Sequence, residues 1–426
     1  STSYEMRMAQ SESIGIDDHP NYIITNGGGV GSSEVDSSGA CGGGVGGNDC
    51  SIELGSPASS TTPRGSSITK THFSKPNDDT QYPYSPQFSD TTFSILVAVV
   101  CIYSLAYSFI VGPFSILFAF IISLIVITTY TLVCSAKHNK WYILWMTVLS
   151  IALGLCIPSF FEATGKVVIH LQLSTWDQTL LDTDSSLMGW LFPMGQMGLY
   201  IDKSDRLGPD SFIGSLSTEV FQLSYISYYI WGYSMEIYLI YNLWRCYLSK
   251  DIEKRRRMPI WDQLLKMFIV TWISTYFIVF SINLMVPAVS PRVYLQGEYV
   301  NSLKGFGLAG IIRSKIDNAA QGSFGSFPSG HIATSWAVAF ASYKIVPVYG
   351  IVSGFAAFLI TIATMYLRYH YMVDFLGAMP VSIFCIFFGG FYSISDVIRH
   401  TKRALLLLRS RLVVDGSGQQ DEETES

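Results

Sequence analysis

From residue 93 onward the chain is built of apolar runs separated by short polar connections. Eight of these runs approach the roughly 20 residues that a helix needs to cross the hydrocarbon core of a bilayer. They cover 93–111, 114–134, 141–161, 220–248, 264–286, 331–346, 351–368 and 375–397. The sixth is short and rich in Ala and Ser; small residues let helices approach closely, so this span belongs inside a bundle. Gly112-Pro113 turns the chain between the first two, because Pro breaks a helix and biases its predecessor away from helical geometry. The pattern predicts an all-α polytopic membrane helix bundle of about eight transmembrane helices. Residues 1–90 are rich in Ser, Gly, Thr, Asp and Asn, with Gly27 to Gly29 and Gly42 to Gly44 in runs, and cannot bury enough apolar surface to order themselves. A disordered tail over 1–90, two leading helices over 91–135, a main membrane domain over 136–398 and a second tail over 399–426 follow.

Composition sharpens this picture. With 49% hydrophobic and 14% charged residues, the chain fits a membrane protein better than a soluble one. Its net charge of -5, carried partly by the tails, argues against a nucleic-acid partner. No short apolar run opens the chain, so the first span is expected to direct insertion itself. Lys and Arg in short connections set orientation. Lys137 and Lys140, then Lys250 and Lys254 to Arg257, then Arg399, Lys402, Arg403, Arg409 and Arg411 all fall on one side if there are eight spans. Both termini are then cytosolic, and the 288–330 loop faces the lumen or the outside.

Two fragments carry candidate chemistry, and this topology puts both on that same face: Phe327-Pro328-Ser329-Gly330-His331 and His370-Tyr371-Met372-Val373-Asp374. A separation of four places His370 and Asp374 on one side of a helix, so the carboxylate can accept the Nδ1 hydrogen and leave Nε2 as an oriented nucleophile. His331 follows Gly330, which permits close backbone approach, and begins a helix whose free N–H groups suit an anion. The Ser329 hydroxyl can donate to the same anion. Together they describe phosphoryl transfer, with one His attacking and the other protonating the leaving oxygen. Ligation of a metal by the two His and Asp374 is the alternative, though it leaves Ser329-Gly330 unexplained. Glu236, deep in the fourth span beside Tyr233 and Tyr238, is an ionisable residue in lipid and is either functional or bonded to a neighbouring helix.

At these residues the chain resembles the type-2 phosphatidic acid phosphatase superfamily, over about 140–397, and within it the branch that includes inositol phosphorylceramide synthases. Pro328 to His331 match that family's second motif, and Tyr366 through Asp374 resemble the sphingolipid-synthase version of its third. The stretches Trp176-Asp177 through Leu187-Met188-Gly189 and Val286 through Tyr294 also resemble lumenal segments of that branch. The resemblance implies a six-helix phosphatase-like core, with His370 forming a phosphohistidine, Asp374 orienting it and His331 acting as general acid. It implies phospholipid and ceramide-like substrates in the bilayer, no cofactor, no metal, and a lumenal site in an endomembrane such as the Golgi or ER. A lipid phosphate phosphatase using the same site, and a non-enzymatic carrier or scaffold retaining the fold, are the other readings. The family's first motif, a Lys with an Arg-Pro pair six residues on, has no counterpart, and Thr364 stands where an Arg is expected six residues before His370. Phosphate charge then falls to other cations. Arg292, Lys304, Arg313 and Lys315 in the 288–330 loop and Arg368 beside His370 are the candidates, joining Ser329 and Gly330 at the phosphate.

Overall fold

The computed structural model describes residues 86–402 apart from 112, 138–140, 206–207, 320–323, 396–397 and 400–401. Residues 1–85 and 403–426, which make up most of both tails and include Arg403, Arg409 and Arg411, lie outside the described residues, as do Gly112 and Lys140. Within them the chain is helical, with a single isolated parallel bridge between Ala288 and Gly325. The helices are α1 (Pro86–Val111), α2 (Pro113–Ser135), α3 (Tyr142–His170), α4 (Asp177–Met188), α5 (Met197–Asp202), α6 (Phe212–Ile226) and α7 (Tyr228–Leu248). They continue as α8 (Ile252–Arg256), α9 (Met258–Met285), α10 (Pro291–Tyr294), α11 (Leu308–Ala319), α12 (Gly330–Ile345), α13 (Pro347–Tyr366) and α14 (Val373–Phe388). The chain is an all-α polytopic helix bundle. Four segments are long and apolar enough to cross a membrane: Ser89–Tyr107, Tyr142–His170, Ile252–Met285 and Pro347–Tyr366. Ile121–Ser135 and Val373–Phe388 are shorter apolar helices.

Every expected span meets a helix, with one difference. The apolar run 220–248 is two helices, α6 and α7, separated at Ser227. Ser224 and Ser227 both turn their hydroxyls onto backbone carbonyls, of Val220 at 2.8 Å and Ser224 at 2.7 Å. Such side-chain bonds compete with the helical ladder and bend it. Tyr225 and Tyr228, three residues apart across this point and so on one side of the chain, both meet one ring described below. Helix α1 begins at Pro86, inside the stretch expected as tail.

The pillar of the bundle is α9, buried continuously from Leu264 to Phe277. It packs against α1, α3, α7, α12 and α14. Beside it lies α12, whose Ala333, Ala337, Ala339 and Ala341 are buried as its small-residue composition predicts. Close packing elsewhere depends on Gly232, where a Cβ would come within 2.5 Å of the Trp272 indole.

One polar cluster lies in the bundle away from the motif end of α9. The Lys266 ammonium, 7% exposed, meets Asp90 at 2.5 Å and Asp262 at 2.8 Å, and Tyr142 donates to Asp262 at 2.9 Å. This ties α1 and α3 to α9. Removing one member of a buried charge cluster leaves the others desolvated without compensation. Lys266→Met is therefore expected to destabilise the bundle by about 3 kcal/mol, read as a lowered thermal midpoint in detergent, whereas Asp182→Asn on an exposed face of α4 should leave the midpoint unchanged.

Candidate active site

The two histidine fragments meet at one end of the bundle. A loop leaves α9 at Met285 and runs alongside the segment that precedes α12, with Ala288 N–H donating to Phe324 O at 3.3 Å and Ser326 N–H to Ala288 O at 3.1 Å. This pairing fixes Ser326. Three residues on, Ser329 caps α12 by accepting from Ile332 N–H at 3.3 Å, a bond typical of Ser at a helix start. His331 thus sits in the first turn of α12. Pro328 and Phe327 pack on α14 at Gly377, where a Cβ would come within 2.9 Å of the Phe327 ring. Gly330 is under less constraint: a Cβ there would make an ordinary 3.5 Å contact with Val279. The close approach expected of Gly330 is therefore not one imposed by protein packing.

The other fragment leaves α13 through a Schellman-like turn, in which Tyr369 N–H donates to Thr364 O at 2.9 Å and Arg368 stands at φ 67°. Thr364 takes part through its backbone carbonyl, which also accepts His370 N–H at 3.1 Å. His370 therefore precedes α14 rather than sharing a helix with Asp374. Their contact arises because Asp374, in the first turn of α14, reaches back across the turn. Asp374 Oδ2 accepts from His370 Nδ1 at 2.8 Å, from Ser326 Oγ at 2.9 Å and from Tyr371 N–H at 3.1 Å.

Proton positions follow from these partners. His370 Nδ1 also faces the Ser326 carbonyl at 3.0 Å. Both neighbours of Nδ1 are acceptors, so Nδ1 carries the hydrogen and Nε2 presents a lone pair. His370 is 6% exposed and Asp374 is fully buried. The His331 ring lies with its centroid 5.8 Å from that of His370, stacked on Tyr225 at 4.2 Å and flanked by Tyr228 at 4.1 Å.

Cations surround this pair unevenly. Arg368 turns away, into an ion pair with Asp202 at 2.8 Å, a bond to Asn301 O at 3.0 Å and a position 4.0 Å over the Tyr299 ring. Its backbone neighbours His370 while its charge serves Asp202 and the 299–301 loop. Arg292 and Arg313 lie over the Tyr369 ring at 4.7 Å and 5.4 Å, and Tyr369 packs on Tyr225, the same ring that stacks on His331. These two guanidinium groups are thus the cations gathered on the aromatic wall behind His331. Lys315 is exposed, and Lys304 is exposed in the loop before α11. Glu236 is buried near Gly154, Tyr233 and Trp272, apart from the histidine pair.

Sequence reasoning took in Asp177 only as part of a stretch resembling lumenal segments and passed over Asp184 and Asp202. Asp177 accepts from the Tyr371 hydroxyl at 2.8 Å, and Asp184 accepts from Met372 N–H at 2.8 Å and Val373 N–H at 2.7 Å. Burial pushes the Asp184 carboxyl up to about 6, with those two N–H groups opposing the rise and the Asp374 charge adding to it. Asp202 accepts from Val300 and Asn301 N–H groups at 2.8 Å and 3.0 Å. The available signal was the seven-residue spacing of Asp177 and Asp184, two turns along one face of a short helix. Among the described residues no three His, Cys, Asp or Glu side chains converge as a metal-binding group.

An imidazole held by a carboxylate, facing a second imidazole at one end of an apolar bundle, is the arrangement against which the chain can be compared with known proteins. Residues 255–388 match the family described as the PAP2 superfamily. The chain is 62% identical over 321 residues to a PA-phosphatase related-family protein of Dictyostelium discoideum. That alignment takes in 74% of this chain and 58% of the relative, so the chain spans well under two thirds of that protein's length. No solved structure matches. The matched stretch carries α9, α12, α13 and α14, with both histidines and Asp374.

Proposed function

We propose that this protein is a membrane lipid phosphotransferase that works through a phosphohistidine at His370. The observation that carries the reading is the fixed tautomer of His370: its Nδ1 hydrogen is committed to Asp374 and Ser326, which leaves Nε2 free toward the gap it shares with His331. A nucleophile needs to come within about 3–3.5 Å of the atom it attacks. Ring centroids 5.8 Å apart bring both imidazoles within reach of one phosphoryl group at this end of the bundle.

In the first half-reaction the Nε2 lone pair forms the P–N bond, the bond from phosphorus to the diacylglycerol oxygen breaks, and protonated His331 gives that oxygen its proton. In the second, an acceptor hydroxyl passes its proton to His331 and attacks phosphorus, the P–N bond breaks and His370 returns neutral. Asp374 stabilises the positive imidazole of the intermediate. Ser329, the N–H groups of the first turn of α12, and Arg292 with Arg313 supply the donors and charge that a phosphate requires.

The acceptor we favour is a ceramide-like alcohol, as in the inositol phosphorylceramide synthase branch, with the site on the lumenal side of an endomembrane and both tails cytosolic. Support for the orientation comes from the basic segment Lys254 to Arg257, which lies at the far end of α9 from the 286–290 loop, about 40 Å along a 28-residue helix. Water as acceptor is the second reading, favoured by the description of the Dictyostelium relative as a PA-phosphatase related-family protein. Membranes containing the protein, given labelled phosphatidylinositol with ceramide or labelled phosphatidic acid alone, should yield an inositol phosphorylceramide in the first case. Release of inorganic phosphate from phosphatidic acid, with no ceramide product, would replace transfer by hydrolysis.

Two variants test the assigned roles. His370→Ala should abolish both turnover and base-stable phosphoryl labelling while the protein still reaches the membrane; residual labelling at wild-type level would remove His370 from the nucleophile's role. His331→Gln should slow the reaction of a lipid by about 10²–10⁴-fold, the usual worth of a general acid. The loss in the labelling step should be far smaller with p-nitrophenyl phosphate, whose leaving group departs without a proton. An equal loss on both substrates would contradict the acid role.

A further inference from the structure

Between His370 and Asp374 lie three residues with no evident part in phosphoryl chemistry, Tyr371, Met372 and Val373. All three are nevertheless held from outside by a single short helix. The Tyr371 hydroxyl donates to Asp177 Oδ1 at 2.8 Å, Met372 N–H to Asp184 Oδ2 at 2.8 Å and Val373 N–H to Asp184 Oδ1 at 2.7 Å. Asp177 and Asp184 are 1% and 0% exposed, and Tyr371 is fully buried. The second oxygen of Asp177 accepts from Val289 N–H at 3.3 Å, and Asp184 Oδ2 also takes the Gln196 amide at 2.5 Å. Each carboxylate therefore bridges the His370 loop to a second segment, Asp177 to the loop after α9 and Asp184 to the turn before α5.

Burying two carboxylates is costly unless their charges are met by donors. Here the donors are largely the backbone and hydroxyl of the nucleophile's own loop. Asp184 sits at the start of α14, where first-turn N–H groups lack helical partners and the positive end of the helix favours an anion. The loop in question also includes Arg368 at positive φ, a conformation a non-glycine residue adopts only when its surroundings impose it.

We propose that α4 is a positioning clamp for the nucleophile: Asp177 and Asp184 grip residues 371–373 so that the His370 imidazole and the Asp374 carboxylate keep one mutual geometry. This inference rests on the phosphohistidine reading above. Its physical content is that Nε2 is held on line with the phosphorus from outside the PAP2-matched stretch, by residues that touch neither substrate nor reacting atoms. A displacement of about 1 Å at a reacting centre can cost roughly 100-fold in rate.

The test separates positioning from folding by measuring rate and stoichiometry together. Purified full chain, wild type and variant, is mixed in detergent–lipid micelles with ³²P-labelled phosphatidic acid and, in a parallel arm, with phosphatidylinositol labelled at its phosphate. Samples are quenched in alkali, in which a P–N bond survives, over a time course. Asp184→Asn and Tyr371→Phe are expected to reach the wild-type stoichiometry of label while approaching it about tenfold or more slowly. Asp182→Asn, on the exposed side of α4, should follow wild type. Label that falls in stoichiometry but forms at the wild-type rate would show a purely structural role and overturn the clamp. So would rates within about twofold of wild type in both variants. Should Asp184→Asn fail to fold, Tyr371→Phe, which keeps the buried ring and loses only the hydroxyl, decides alone. A wild-type chain that takes no label in either arm would defeat the phosphohistidine reading itself, and the clamp with it.

Discussion

Everything at the site is arranged around one buried carboxylate oxygen. Asp374 Oδ2 receives three hydrogens, from His370 Nδ1, Ser326 Oγ and the Tyr371 amide, in a place that water does not reach. An ionised carboxylate cannot rest in such surroundings without donors. Two of the donors belong to the turn after α13 and one to the segment before α12, so satisfying that one atom draws both segments onto the first turn of α14, which carries the carboxylate. The bridge of Ala288 to Gly325 then becomes intelligible, because it holds Ser326 where its hydroxyl and carbonyl meet the carboxylate and the imidazole at once.

The same atom links fold to chemistry. A hydrogen shared between Nδ1, a carboxylate and a carbonyl leaves no freedom of tautomer, and the remaining nitrogen is oriented by default. The rigidity of that orientation depends on what lies beneath it: α9, continuously buried, and α12, thin enough through its alanines to stand beside it. On the other side of the gap, Tyr225 and Tyr228, three residues apart and so on one face, flank His331.

Much of this was legible in residue order because the bilayer and the chemistry both leave local marks. Runs of apolar residues gave the helices, and the His331 and His370 motifs gave two points that the bundle brings face to face. The pairing of His370 with Asp374 was read as two positions on a helical face. The structure reaches the same contact through a turn, since a side chain at the start of α14 can fold back over three residues. What stayed hidden were partners distant in sequence. Asp184 lies 188 residues from the Met372 amide it accepts. Nothing in its own surroundings distinguishes an acid that caps a remote helix from one that merely faces water. The break at Ser227 was likewise concealed, because serines within an apolar run read as helix until their hydroxyls are seen to bond the backbone.

Arg368 shows why a motif's neighbours are poor guides to roles. Adjacent in sequence to the His370 turn, it is a natural choice to meet a phosphate, yet its charge is taken by Asp202, Asn301 and the Tyr299 ring. The reason lies in the turn itself. Arg368 ends α13 in the αL conformation, and its side chain goes to the buried Asp202, which needs a cation. With Thr364 contributing its carbonyl to the turn, positive charge near the gap comes from Arg292 and Arg313, which reach the aromatic wall from the 288–330 loop. A phosphate entering between the histidines would therefore meet its cations from a connecting loop and its donors from the first turn of α12. That division leaves the α12–α14 frame to hold His370 while the connecting loop carries the cations.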